Sequence, residues 1–102
     1  MGKFTMKKHT DTAGREVLAV SDSDLVGKTL YDDDKEIEFL VSREFYAEEE
    51  LDEQDVISAL SSSGNINLIG NEIVDIAIKE KIVDEDAVID IGGTKHAQVY
   101  RI

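Results

Sequence analysis

The sequence predicts an α+β fold: a largely antiparallel sheet with two helices packed on one face. Three observations carry this reading. Short apolar runs separated by turn residues occupy both ends of the chain, as strands joined by hairpins do. Two stretches with helical apolar spacing stand together in the second half. Elements segregated in this way, rather than alternating strand with helix, belong to α+β architecture and not to a doubly wound parallel sheet.

Taken in order, residues 4–9 alternate weakly and end at Thr10-Asp11-Thr12-Ala13-Gly14, a turn-rich stretch. Residues 15–20 follow, with Val17 to Val20 an unbroken apolar run, so the two read as a hairpin. Ser21-Asp22-Ser23-Asp24 breaks the chain, and Leu25-Val26-Gly27 leads into Lys28-Thr29-Leu30-Tyr31. Asp32-Asp33-Asp34-Lys35 reads as a solvated hairpin loop. Beyond it, residues 36–41 place Ile37, Phe39 and Val41 on one face, the clearest strand signal in the chain. Phe45 and Tyr46 pin the next connection to the core. Asp52 is suited to cap a helix over 52–62, with Glu53 and Asp55 at its favourable negative end and Gly64 as a left-handed stop. Ile69, Ile73, Ile76 and Ala77 give a second helix over 71–81, with Lys79 and Lys81 in its last turn. After a turn at 84–86, strands over 87–91 and 96–101 flank Gly92-Gly93-Thr94-Lys95, a hairpin turn.

With 102 residues there is room for one domain, 1–102, and its 41% hydrophobic content suits one core. Cysteine is absent, which excludes disulfides and thiolate metal sites. No apolar run approaches the roughly 20 residues that span a bilayer, and the N-terminus carries neither a secretory nor a myristoylation pattern. The expected setting is the cytoplasm, with no membrane contact. Net charge is −12 and unevenly spread. Residues 32–55 hold twelve acids against Lys35 and Arg43, while bases gather towards the two ends. A broad nucleic-acid grip, which draws on Lys and Arg facing phosphates, does not fit; a local basic patch does.

Several patterns resemble chemistry without completing it. Val26-Gly27-Lys28-Thr29 matches the tail of a phosphate loop, but Asp22 stands where its first glycine must be. Asp22-Ser23-Asp24 and Asp32-Asp33-Asp34 lack the spaced ligand loop of a calcium site, so no metal is expected. His9 and His96 are the only histidines, too few for a three-histidine zinc site, and no triad signature accompanies them. No catalytic residue and no cofactor is assigned. The most unusual segment is Gly92 to Gln98. Adjacent glycines leave backbone amides open beside Lys95 and His96, an arrangement that suits an anion. An ordinary hairpin followed by polar strand positions accounts for it equally well.

Asn67-Leu68-Ile69-Gly70 ahead of a helix, and Gly92-Gly93-Thr94-Lys95-His96-Ala97-Gln98-Val99, resemble two signature stretches of the small archaeal family catalogued as domain of unknown function 424. Leu25-Val26-Gly27-Lys28 and the Phe45-Tyr46 pair fit the same pattern, and the likeness runs over nearly the whole chain. Where that family leads one to expect proline between the glycine pair and the histidine, this chain has Lys95, which keeps the hairpin but not a rigid loop. The resemblance implies a contact with RNA and assigns no mechanism.

Three readings of function follow. The first is a binding module that touches RNA, or a ribonucleoprotein, through a local basic patch. Its residues are Lys7, Gly92, Gly93, Lys95, His96, Gln98 and Arg101, with Lys3, Lys8 and His9 nearby. The second is a protein-interaction domain whose acidic middle docks a basic partner. The third is a small enzyme acting on an anionic ligand at the Gly92-Gly93 turn. Whether the two basic ends converge on one face separates the first from the others. Oligomeric state is open.

Overall fold

The computed structural model describes residues 2–100. Its elements run β1 (Phe4–Thr10), β2 (Glu16–Asp22), β3 (Thr29–Asp32), β4 (Ile37–Leu40), α1 (Arg43–Tyr46), β5 (Glu49–Leu51), α2 (Glu53–Ser61), β6 (Ile66–Ile69), α3 (Asn71–Lys79), β7 (Val88–Ile91) and β8 (Thr94–Val99). Six strands form the main sheet in the order β5-β1-β2-β6-β8-β7, and β3 and β4 pair as a separate ribbon. Every pairing in the main sheet is antiparallel except β2 with β6. The α+β expectation holds, with the mainly antiparallel sheet and helices packed on it.

The sheet is buried on both faces, and sequence explains how. Along β2, Leu18 and Val20 join one cluster with Phe4, Leu68 and Ala97 beneath Val56 and Leu60 of α2 and Ile73, Val74 and Ala77 of α3. The alternate residues Ala19, Ile69 and Ile91 join a second cluster with Val41 and Tyr46, against which Leu30, Ile37 and Phe39 of the ribbon pack. A strand covered on both sides reads as an unbroken apolar run, which is why Val17 to Val20 do not alternate. The layers are therefore α2 and α3, the sheet, then the ribbon with α1.

Several expectations change. Residues 36–41 were expected in the main sheet; β4 instead pairs only with β3, because its inward Ile37 and Phe39 lie on the sheet rather than beside it. Residues 66–69 form a central strand, so Ile69 belongs to β6 and not to the helix face. Gly64 is not among the positive-φ glycines; α2 ends at Ser62 with right-handed geometry. Lys81 lies beyond α3 and takes a left-handed φ of 60° where the chain turns away. The cap of α2 is as read: Asp52 accepts from the Asp55 N–H at 3.0 Å.

α3 has an unusual start. Gly70 precedes it with φ 129°, and the capping group comes from another strand. The Asp22 carboxylate accepts from the N–H groups of Glu72 and Ile73 at 3.0 and 2.9 Å. It occupies the space a Cβ at position 70 would need, so glycine is required there. Asp22 is 5% exposed, and burial pushes its carboxyl up to about 6 despite those two donors; the Glu72 and Asp24 charges push the same way.

Candidate functional site

The sheet order decides where the basic ends of the chain fall. β1 and β8 are not neighbours; β2 and β6 lie between them. Lys7, Ala19, Asn67 and Gln98 form one row across the four strands. Three strand spacings therefore separate Lys7 from Gln98, roughly 14 Å. Lys7 is half-buried, whereas Lys8 points to the other face and pairs with Glu16 at 3.6 Å. His9 stacks on Phe45 at 4.3 Å, and its Nε2–H donates to the Phe45 carbonyl at 2.7 Å, tying β1 to α1. Arg101 lies outside the described residues.

At the Gly92-Gly93 turn the backbone amides already have acceptors. Gly93 N–H donates to Asp90 at 2.7 Å, and Gly92 N–H donates to Asp32 at 3.0 Å. The Asp32 carboxylate also accepts from Lys35, and the Gly92 amide is the chief cause holding its carboxyl down at about 2. A Cβ on Gly92 would strike the Tyr31 carbonyl oxygen, so this glycine lets one hairpin lie against the other. Asn71 completes the turn, donating to the Gly93 carbonyl at 3.1 Å and accepting from Lys95 N–H at 2.8 Å.

Lys95 and His96 point to opposite faces. The Lys95 ammonium donates to Asp75 of α3 at 2.6 Å, and that carboxylate raises its pKa. His96 faces the ribbon, 6% exposed, with its ring 5.2 Å from Phe39. Its Nδ1–H donates to the Leu68 carbonyl at 2.7 Å, which leaves Nε2 to accept from the Gln98 amide at 3.3 Å. Burial pulls its pKa down, so the ring is neutral near pH 7. Gln98 in turn accepts from the exposed Tyr100 hydroxyl at 3.1 Å. One oriented chain thus runs from the sheet interior to the surface, and beside it Tyr46 donates to Asn67 at 2.5 Å.

A second feature lies at the β5 edge, which the sequence reading did not single out as a site. Between β1, β5 and α1 is an open hollow of about 370 Å³. Thr5, Ser23, Arg43, Ala47 and Glu48 to Glu50 line it. Thr5 is 6% exposed, and its Oγ1 is buried with no hydrogen-bond partner among the described residues. Ser23 by contrast donates to the Gly2 carbonyl at 3.1 Å. The acids continue from the hollow onto α1 and the start of α2: Glu44 of the first, and Glu53 and Asp55 of the second, are also exposed. None of these six acids enters any of the ion pairs formed among the described residues, and neither does Arg43. Only the acid density of residues 44–55 signals this edge in the sequence; the Thr5 hydroxyl is invisible there.

Comparison with known proteins agrees with this fold. A family model described as "Protein of unknown function (DUF424)" matches residues 9–102. A crystal structure of an uncharacterized conserved protein from Methanopyrus kandleri superposes with a TM-score of 0.74, covering 97% of this chain and 94% of that one. The two are 21% identical, so the likeness is one of fold. No curated protein matches.

Proposed function

The chain belongs to the DUF424 family, and on the chemistry of its surface we propose that it is a binding module docking a basic protein partner. The observation that carries this reading is the run of exposed acids from Glu44 to Asp55, on α1, the β5 edge and the start of α2, none of which forms an ion pair among the described residues, even with the nearby Arg43. Charges left unpaired at a surface create a field that speeds encounter with an oppositely charged partner and repels phosphate backbones. Lys3, Lys28, Lys79 and Lys81 are also exposed and outside the ion pairs formed among the described residues, but they make no run like that of the acids. Lys8, Arg15, Lys35 and Lys95 each face a carboxylate, and Lys7 stands across the sheet from Gln98.

The RNA-contacting alternative needs Lys95 and His96 on one accessible surface with Lys7. Lys95 turns to Asp75 and His96 is buried, so the geometry favours the acidic edge. The test is a pair of titrations, one with an arginine- and lysine-rich peptide and one with single-stranded RNA, each at low and moderate salt. The peptide should bind the native chain, weaken steeply with salt, and bind poorly to a variant carrying Glu48→Gln, Glu49→Gln and Glu50→Gln. Binding of RNA without binding of the peptide overturns the reading.

A further inference from the structure

We infer that the outer face of the β3-β4 ribbon is an apolar anchor for the docked protein, taking a segment whose large aliphatic or aromatic side chains stand beside lysines or arginines. This goes beyond the docking reading and rests on it only for the positive charge of the partner. The register of the ribbon sets its two faces. Leu30 lies opposite Phe39 and Asp32 opposite Ile37, and Leu30, Ile37 and Phe39 pack on the sheet. The alternate residues Thr29, Tyr31, Glu38 and Leu40 therefore point away from it. Of these, Tyr31 is 61% exposed and Leu40 57%. Tyr31 lies opposite Glu38, two residues from Leu40, so the two apolar side chains are diagonal neighbours across the ribbon.

Among the described residues, two of the four exposed large hydrophobics thus share this one face. The fold does not ask for them there, because a ribbon packed on one side is held by its inward residues and leaves the other side to polar ones. Single exposed apolar side chains are ordinary, whereas a pair rimmed by charge marks an interaction surface. The rim here is acidic. Asp33, Asp34 and Glu36 are exposed at the loop end, Glu38 stands on the face itself, and none of the four enters an ion pair among the described residues. Lys35, in the same loop, is held by Asp32 at 3.1 Å. Lys28 and Arg43, also outside those ion pairs, come before β3 and after β4, at the opposite end of the ribbon. Charge is therefore graded along the ribbon. A partner that matches it sets its lysines or arginines over the loop end and its apolar side chains over Tyr31 and Leu40. A second copy of this chain is the poorer occupant, since each copy carries a net charge of −12.

Two peptides with equal numbers of lysines, one with leucines between them and one with serines, make the test. The native chain should bind the leucine peptide about tenfold more tightly, the effect of covering two half-exposed apolar side chains. That preference should outlast added salt, which screens only the charges. A variant carrying Tyr31→Thr and Leu40→Thr, both exposed positions that suit threonine in a strand, should keep its melting temperature and bind the two peptides alike. The triple Glu48→Gln, Glu49→Gln and Glu50→Gln variant should weaken both peptides and keep the preference. A readout free of substitutions is the amide spectrum of the native chain, in which the leucine peptide should move Tyr31, Glu38 and Leu40. If the native chain binds both peptides equally, or those amides stay still, the ribbon anchor is wrong while the docking surface stands. If it binds neither peptide, both readings fall. Light scattering that shows a native dimer and a monomeric Tyr31→Thr, Leu40→Thr variant would give the ribbon to a second copy and overturn the inference.

Discussion

Replacing Asp22 by asparagine should reshape the dependence of stability on pH, and the size of the change follows from the cap of α3. The carboxyl is buried against that helix and holds its proton up to about 6, against an ordinary 3.8. The native state thus binds the proton more tightly than the unfolded chain does. Asp22's contribution is therefore whole below the unfolded value and is lost as pH climbs through the folded one. At about 1.36 kcal/mol per pKa unit, the loss approaches about 3 kcal/mol by neutral pH. Asparagine does not ionise. It keeps one oxygen for the Ile73 N–H but turns its amide towards the Glu72 N–H, at a cost of about 1 kcal/mol. The variant should be the less stable protein near pH 4 and the more stable one near neutrality. For a chain of this size the swing amounts to a relative shift on the order of 15 °C in melting temperature. Thermal unfolding of both proteins by circular dichroism across that range measures it. His96, whose contribution runs in the opposite direction, is common to both and drops out of the difference. Two curves that run parallel would refute the reasoning, because they would mean the burial of Asp22 carries no proton-linked cost.

Gly92→Ala places a Cβ against the Tyr31 carbonyl oxygen at φ 59°, and should cost about 2 kcal/mol or more in urea unfolding. His96→Ala should cost about 2–4 kcal/mol, by opening a cavity and removing the ring's hydrogen bond to the Leu68 carbonyl, whereas Lys95→Ala should stay within about 0.5 kcal/mol. The lowered His96 pKa adds a sign: its contribution is whole above the ordinary 6.5 and is lost as pH falls through the folded value, so His96→Ala should hurt less in acid. Added sodium chloride should raise the melting temperature by screening the unpaired acids between Glu44 and Asp55; an unchanged value would mean they do not repel.

Periodicity made the sheet and both long helices legible, because each of those faces is buried in the ordinary way. Asp52 was readable as a cap since capping is local. Strand β6 was not: Ile66-Asn67-Leu68-Ile69 is buried on every side, and four apolar-rich residues beside a helix carry no period of their own. The ribbon was readable as a hairpin but not as a second layer, since nothing in its alternation says whether its inward face meets a strand edge or a sheet face. The same limit governs the candidate sites. Alternation correctly put His96, Gln98 and Tyr100 on one side of β8 and Ala97 on the other. It did not reveal that Phe39 covers His96, or that Asp32 fills the Gly92 amide, because those partners lie far away in the chain; Asp90, which fills the Gly93 amide, is only three residues off. The Thr5 hydroxyl is the extreme case, notable for what it lacks in three dimensions.

The central claim is that the acidic β5 edge, and not the His96 face, receives the partner. Amide chemical-shift mapping by ¹⁵N–¹H NMR tests it directly, with an arginine- and lysine-rich peptide and a single-stranded RNA added in turn to the native chain. The account expects the peptide to move Thr5, Ser23 and Glu48 to Glu50 at low salt, with the RNA leaving the spectrum unchanged. Shifts induced by RNA at Lys7, Lys95, His96 and Gln98, with the β5 edge silent to the peptide, would contradict it.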